Sequence, residues 1–136
     1  MADSSFLATR LDRDAVPLAV GDLIALIVLL TIGALNHSTV EFLSANPLYL
    51  LEVYAPFLIG WVLVAPLIGA YSAGAVETAK SSVPLAIRSW IPAAIVGLAL
   101  REFVFRGSAA ITFAAVMIVL GSVVLGGWRA LYFKLR

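Results

Sequence analysis

Four long stretches of this chain are almost free of charged side chains, and that pattern limits the fold more than any other feature. The first begins at Pro17 and continues as LAVGDLIALIVLLTIGAL, and the second extends from Pro47 to Tyr71. The third starts at Val83 and Pro84 and reaches Arg101 and Glu102, and the fourth runs from Ser108 to Trp128. A helix needs about 20 apolar residues to cross a hydrocarbon layer about 30 Å thick. Lipid offers the backbone no hydrogen-bond partners, so only helices and closed barrels can span it. Continuous apolar runs of this length, without two-residue alternation, predict helices. The expected fold is therefore all-α: an integral membrane bundle of four transmembrane helices near residues 17–36, 47–71, 83–102 and 108–129. Residues 1–15 are read as a polar cytoplasmic tail and 16–136 as the transmembrane domain. Composition agrees, with 62% hydrophobic and 12% charged residues, against about 25% charged in an ordinary soluble domain.

Several classes of chemistry find no support in these residues. The formal net charge of +1 is spread along the chain, so no basic surface points to nucleic acid. Cysteine is absent, which excludes disulfides, thiolate metal sites and cysteine nucleophiles. The start MADSSFLATRLDRDAV lacks the apolar core and small-residue cleavage site of a secretory signal. His37 and Glu41 share one helix face at a spacing of four, but two ligands are too few for a metal site. No nucleophile elbow and no Gly-rich phosphate loop is present. No enzyme activity, cofactor or metal is expected.

Topology follows from the basic residues, because the cytoplasmic side holds the excess of Lys and Arg. With the amino terminus inside, Arg10, Arg13, Lys80, Arg88, Arg129, Lys134 and Arg136 fall on or near the cytoplasmic face, and Arg101 and Arg106 fall outside. Both termini are expected inside. Tyr49, Tyr54, Tyr71, Trp90, Trp128 and Tyr132 lie near run ends, where an interfacial aromatic belt would sit, whereas Trp61 falls near mid-membrane.

Ionisable side chains within spans are expensive, roughly 2.5–3.5 kcal/mol each on insertion scales, and so mark candidate sites. Asp22 and Arg88 lie at matching depth with opposite charge. Two roles are open to them: an ion pair fixing the first helix against the third, or a proton or ion relay. A second polar layer, His37, Glu52, Arg101 and Glu102, lies toward the outer side. It reads as a hydrogen-bonded collar of snorkelling side chains or as a gate titrating through His37.

Some spacing bears on architecture. VPLAVGDLI at Val16 and VPLAIRSWI at Val83 are offset by 67 residues, as are the Gly-Trp pairs ending at Trp61 and Trp128. The repeat this implies is two parallel hairpins about an axis along the membrane normal. Ala93 with Gly97, Ser122 with Gly126, and Gly60 beside Trp61 permit close helix approach. Pro56, Pro66 and Pro92 each remove a backbone hydrogen bond from their helix.

The segments GDLIAL, NHSTVEFLSANPLY, APFLIGW, LIGAYSAGAVETAKSSVPLAIRSW and GGWR together resemble an uncharacterised family, the domain of unknown function numbered 3054. Its members are small four-helix membrane proteins of halophilic archaea and actinobacteria, and ETAKSSVPLAIRSW is most similar to the archaeal, halophile type. The resemblance implies a four-helix architecture and a plasma-membrane address, and carries no reaction or site residue. Two functions stay open. One is a non-catalytic membrane component, a homo-oligomer or an accessory subunit of a larger complex. The other is a small oligomeric transporter or channel for protons, ions or small solutes.

Overall fold

In the computed structural model, which describes residues 8–105 and 111–136, the chain is an antiparallel helical bundle. Arg106, Asp3 and Ser108 lie outside the described residues. The bundle comprises α1 (Val16–His37), a short α2 (Val40–Ala45), α3 (Pro47–Ile68), α4 (Ala79–Phe103) and α5 (Ile111–Leu135). α1, α3, α4 and α5 are each long and apolar enough to cross a membrane. They run up, down, up and down, and pack in a closed ring in the order α1, α3, α4, α5.

Local chemistry sets the helix ends. α1 begins with Pro17 in its first turn, where a missing N–H is harmless. It is preceded by a 3-10 turn, Arg13–Ala15, capped by the Asp12 carboxylate, which accepts from Asp14 N–H at 2.8 Å. Thr39 caps α2 by accepting from Phe42 N–H at 3.1 Å, and Pro47 opens α3. α3 stops at Ile68, three residues before the apolar run ends, because Gly69 takes a left-handed φ of 105°. The amides of Gly69 and Ala70 both donate to the Ala65 carbonyl, as helix C-caps of this kind do. α4 begins earlier than its apolar run, because Thr78 accepts from Ser81 N–H at 3.2 Å and adds a polar first turn. Pro84 therefore lies inside α4 instead of opening it. α5 continues past Trp128 to Leu135, since ALYF after Arg129 remains apolar.

The bundle is tightest along α3 and α4. Gly60 faces the Ala93 carbonyl and the Gly97 amide so closely that a Cβ there would overlap backbone, and Gly97 is pressed against Phe57. The small residues noted in the sequence thus serve packing within the chain at this seam. Between α4 and α5, Gly121 leaves room for the Trp90 indole, whose Nε1 donates to the Met117 carbonyl at 3.0 Å. Trp90 is fully buried in the middle of its helix and so does not belong to an interfacial belt. The core around it is Leu26, Leu30, Phe57, Trp61, Ala93, Ala94, Met117 and Leu125. Outward faces of the helices are apolar, with Val20, Ile24, Val28 and Ile32 on α1 and Val119 and Val123 on α5.

Not every glycine is a packing requirement. A Cβ at Gly33 or Gly127 would meet nothing within 4 Å. Alanine at either position is expected to be neutral or to raise stability by up to about 1 kcal/mol, the helix advantage of Ala over Gly. Thermal unfolding in detergent would check this.

Candidate functional site

A charged cluster is buried in the interior near the end of the bundle that holds both termini. Asp22, six residues into α1, is fully buried, as is Arg129 near the end of α5. Their helices are neighbours and antiparallel, which brings residues distant in sequence to one level. Arg129 Nη2 donates to Asp22 Oδ2 at 2.6 Å and Nε to Oδ1 at 3.3 Å, the two-point grip that a planar guanidinium makes on a carboxylate. Arg129 Nη1 donates to both the carbonyl and the Oγ of Ser82, each at 3.2 Å. Ser82, also fully buried, sits in the polar first turn of α4 that Thr78 begins.

Two aromatic side chains extend the network. Tyr71 follows α3 by three residues, and its hydroxyl donates to Asp22 Oδ2 at 2.8 Å. The Trp61 indole in turn donates to the Tyr71 hydroxyl at 2.8 Å. The Arg129 guanidinium lies 5.5 Å from the centre of the Tyr71 ring, within cation–π range. Tyr71 is itself held from the amino-terminal side, because Asp12 N–H donates to its carbonyl at 2.7 Å. One cluster thereby joins α1, α3, α4, α5 and the segment between α3 and α4. Beside it, the Trp128 indole covers Gly21 and sits next to the Asp22 carboxylate.

The sequence pairing of Asp22 with Arg88 is corrected here: the partner of Asp22 is Arg129. Arg88 lies at the tenth position of α4 on its exposed face, because starting the helix at Ala79 turns Ser89 and Trp90 inward. Trp61, read as a mid-membrane exception, is a buried second neighbour of Asp22.

The outer polar residues lie at the far end of the bundle. His37 and Glu102 are exposed and Glu52 and Arg101 half-buried. His37 and Arg101 line one cavity there, together with Asn36 and Tyr49. Glu52 and Glu102 are not among its lining residues.

Arg129, Tyr71 and Ser82 were not singled out by sequence reasoning. The apolar run ends at Trp128, which places Arg129 with the cytoplasmic cations. The signal that could have found it is the apolar ALYF after it, which carries the helix onward and leaves the arginine as far from its helix end as Asp22 is from its helix start.

Residues 19–132 match the sequence profile of a family described as protein of unknown function, DUF3054. The chain belongs to this family. The match includes Asp22, Trp61, Tyr71, Ser82 and Arg129, and so covers the whole cluster. No curated protein and no solved structure matches the chain. In this DUF3054 protein the chemistry is that of the cluster's own residues. A carboxylate gripped at two points, with a guanidinium engaged through all three nitrogens, ties α1 to α5, and removing either charge would strand the other in the interior.

Proposed function

We propose that the protein is a non-catalytic membrane component working within a larger membrane assembly, with Asp22 and Arg129 acting as the latch that closes its helix ring. The observation carrying this reading is the saturation of the ion pair: both side chains are fully buried and bonded to Tyr71 and Ser82 as well as to each other. A relay group needs water or a second acceptor beside it, and neither Asp22 nor Arg129 lines the cavity at the far end of the bundle or the two grooves beside α1; Tyr71 alone of the cluster's hydrogen-bonded members borders one of these grooves.

Arg88 supports the assembly. It faces outward from a membrane-spanning helix, with no hydrogen bond or ion pair among the described residues. An outward cation at that depth calls for a phosphate or a carboxylate on a neighbouring molecule. The address is the plasma membrane with both termini cytoplasmic, supported by Arg10, Arg13, Lys80, Lys134 and Arg136 at the end of the bundle that holds the termini. The acidic start of the chain and the ETAKSSVPLAIRSW stretch favour the archaeal, halophile type.

The transporter reading draws on the matched halves, because α1 and α4 start at the same end, as do the parallel hairpins of a repeat. Flux of protons and sodium into liposomes separates the two readings. The component reading expects no flux from folded, inserted protein. Flux that disappears in a well-folded Asp22→Asn variant would overturn it. Arg88→Leu is expected to leave thermal stability unchanged within about 0.5 kcal/mol, as for an exposed residue with no partner, while reducing the mass of the detergent-extracted assembly. An Arg88→Leu assembly of unchanged mass would remove this side chain from the interface.

A further inference from the structure

At the end of the bundle opposite the ion pair, a cavity of about 200 Å³ opens between α1, α3 and α5. Its wall is apolar, formed by side chains such as Leu29, Leu30, Val53, Phe57, Phe113 and Met117, whereas Asn36, His37, Tyr49 and Arg101 form its mouth. The lining runs from Leu29 to His37 on α1 and from Tyr49 to Phe57 on α3, eight residues in each case. At 1.5 Å per residue the slot is about 12 Å deep, reaching from the membrane surface well into the hydrocarbon. It is left open because the tight seams of the bundle lie elsewhere, at Gly60 with Ala93 and at Gly121 with Trp90. Gly33 on its α1 wall has no atom within 4 Å of where a Cβ would stand.

We infer that this slot binds an anionic amphiphile, taking one hydrocarbon chain between α1, α3 and α5 and holding the head group at Arg101. The apolar wall suits a methylene chain and offers it no hydrogen bonds to satisfy. The mouth suits an acceptor-rich head. His37, Asn36 and Tyr49 add hydrogen-bonding groups beside the Arg101 cation. The guanidinium of Arg101 packs over the Phe113 ring at 4.8 Å, which fixes it at the edge of the slot. Its five N–H donors let it engage a head group in addition to protein contacts. A fatty-acid carboxylate and the phosphate of a phospholipid share this chemistry. The site is separate from the latch and does not depend on the assembly reading.

The test uses quenching of tryptophan emission by brominated chains in detergent-solubilised, full-length protein. Trp90 reports on the slot, because its ring packs 6.1 Å from that of Phe57 and it is bonded to Met117. The probes are a brominated stearate, a phosphatidylglycerol with one brominated chain, and the brominated stearyl alcohol. Saturable quenching by the acid or by the phosphatidylglycerol is expected, and whichever binds tighter identifies the source of the head group. Gly33→Phe should weaken that probe at least tenfold by filling the slot. Arg101→Gln should weaken it about tenfold and bring it level with the alcohol. Equal binding of the alcohol and the acid by the wild-type protein would overturn the anionic head. Unchanged quenching in a folded Gly33→Phe protein would overturn the site, and Gly33→Leu serves the same purpose if the Phe variant does not fold.

Discussion

Arg129→Met is expected to lower the stability of the folded bundle by about 3–5 kcal/mol, the usual effect of removing one member of a buried ion pair. Asp22 is fully buried, so the substitution leaves a carboxylate without its counter-ion, beside the Tyr71 hydroxyl and the Trp128 indole. Asp22→Leu should be as damaging for the converse reason, because Arg129 would keep only Ser82 and the face of the Tyr71 ring. The double variant Asp22→Leu with Arg129→Met is expected to recover most of the loss. Two apolar side chains of similar size need no partners, and buried pairs replaced this way are often neutral or better. Unfolding of the four proteins by denaturing detergent gives the double-mutant cycle directly. A double variant no more stable than its worse parent would show that the latch contributes more than the mutual satisfaction of two charges.

Gly60→Val should be the next most disruptive change, with a loss at or above the upper end of the about 1–3 kcal/mol typical of overpacking. The atoms a Cβ would strike belong to the Ala93 carbonyl and the Gly97 amide. Backbone cannot rotate away as a side chain can, so α3 and α4 would have to separate along their closest seam. Gly121→Val provides a graded comparison, since there the obstacle is the Trp90 indole, a side chain whose displacement would also break its bond to Met117. Equal stability of Gly60→Val and wild type would mean that the α3 and α4 seam is looser than its geometry implies.

The four apolar helices were legible in the sequence because bilayer thickness and backbone hydrogen bonding act on each run independently of the others. Helix ends were less legible. Polar caps at Thr78 and the left-handed Gly69 moved them by several residues, and hydropathy responds to neither. The small residues Gly60, Ala93 and Gly97 were visible as a pattern, yet only the fold shows them meeting each other.

The candidate site divides the same way. The sequence alone determined that Asp22 must have a reason to be in a span, since its desolvation penalty is fixed by residue type and depth. It could not determine the partner, because equal depth is shared by several cations and sequence carries no direct record of helix rotation. Arg88 matched Asp22 by depth in the sequence, Arg129 reaches that depth only because α5 runs on to Leu135, and the choice between them rests on azimuth. α4 turns Ser82, Ser89 and Trp90 inward and leaves Arg88 outside, while α5, lying directly against α1, carries Arg129 into contact with Asp22. Depth is a property of one helix and its solvent, and a contact is a property of the whole ring. Membrane chemistry thus placed the charges in the bilayer, and tertiary packing chose which of them meet.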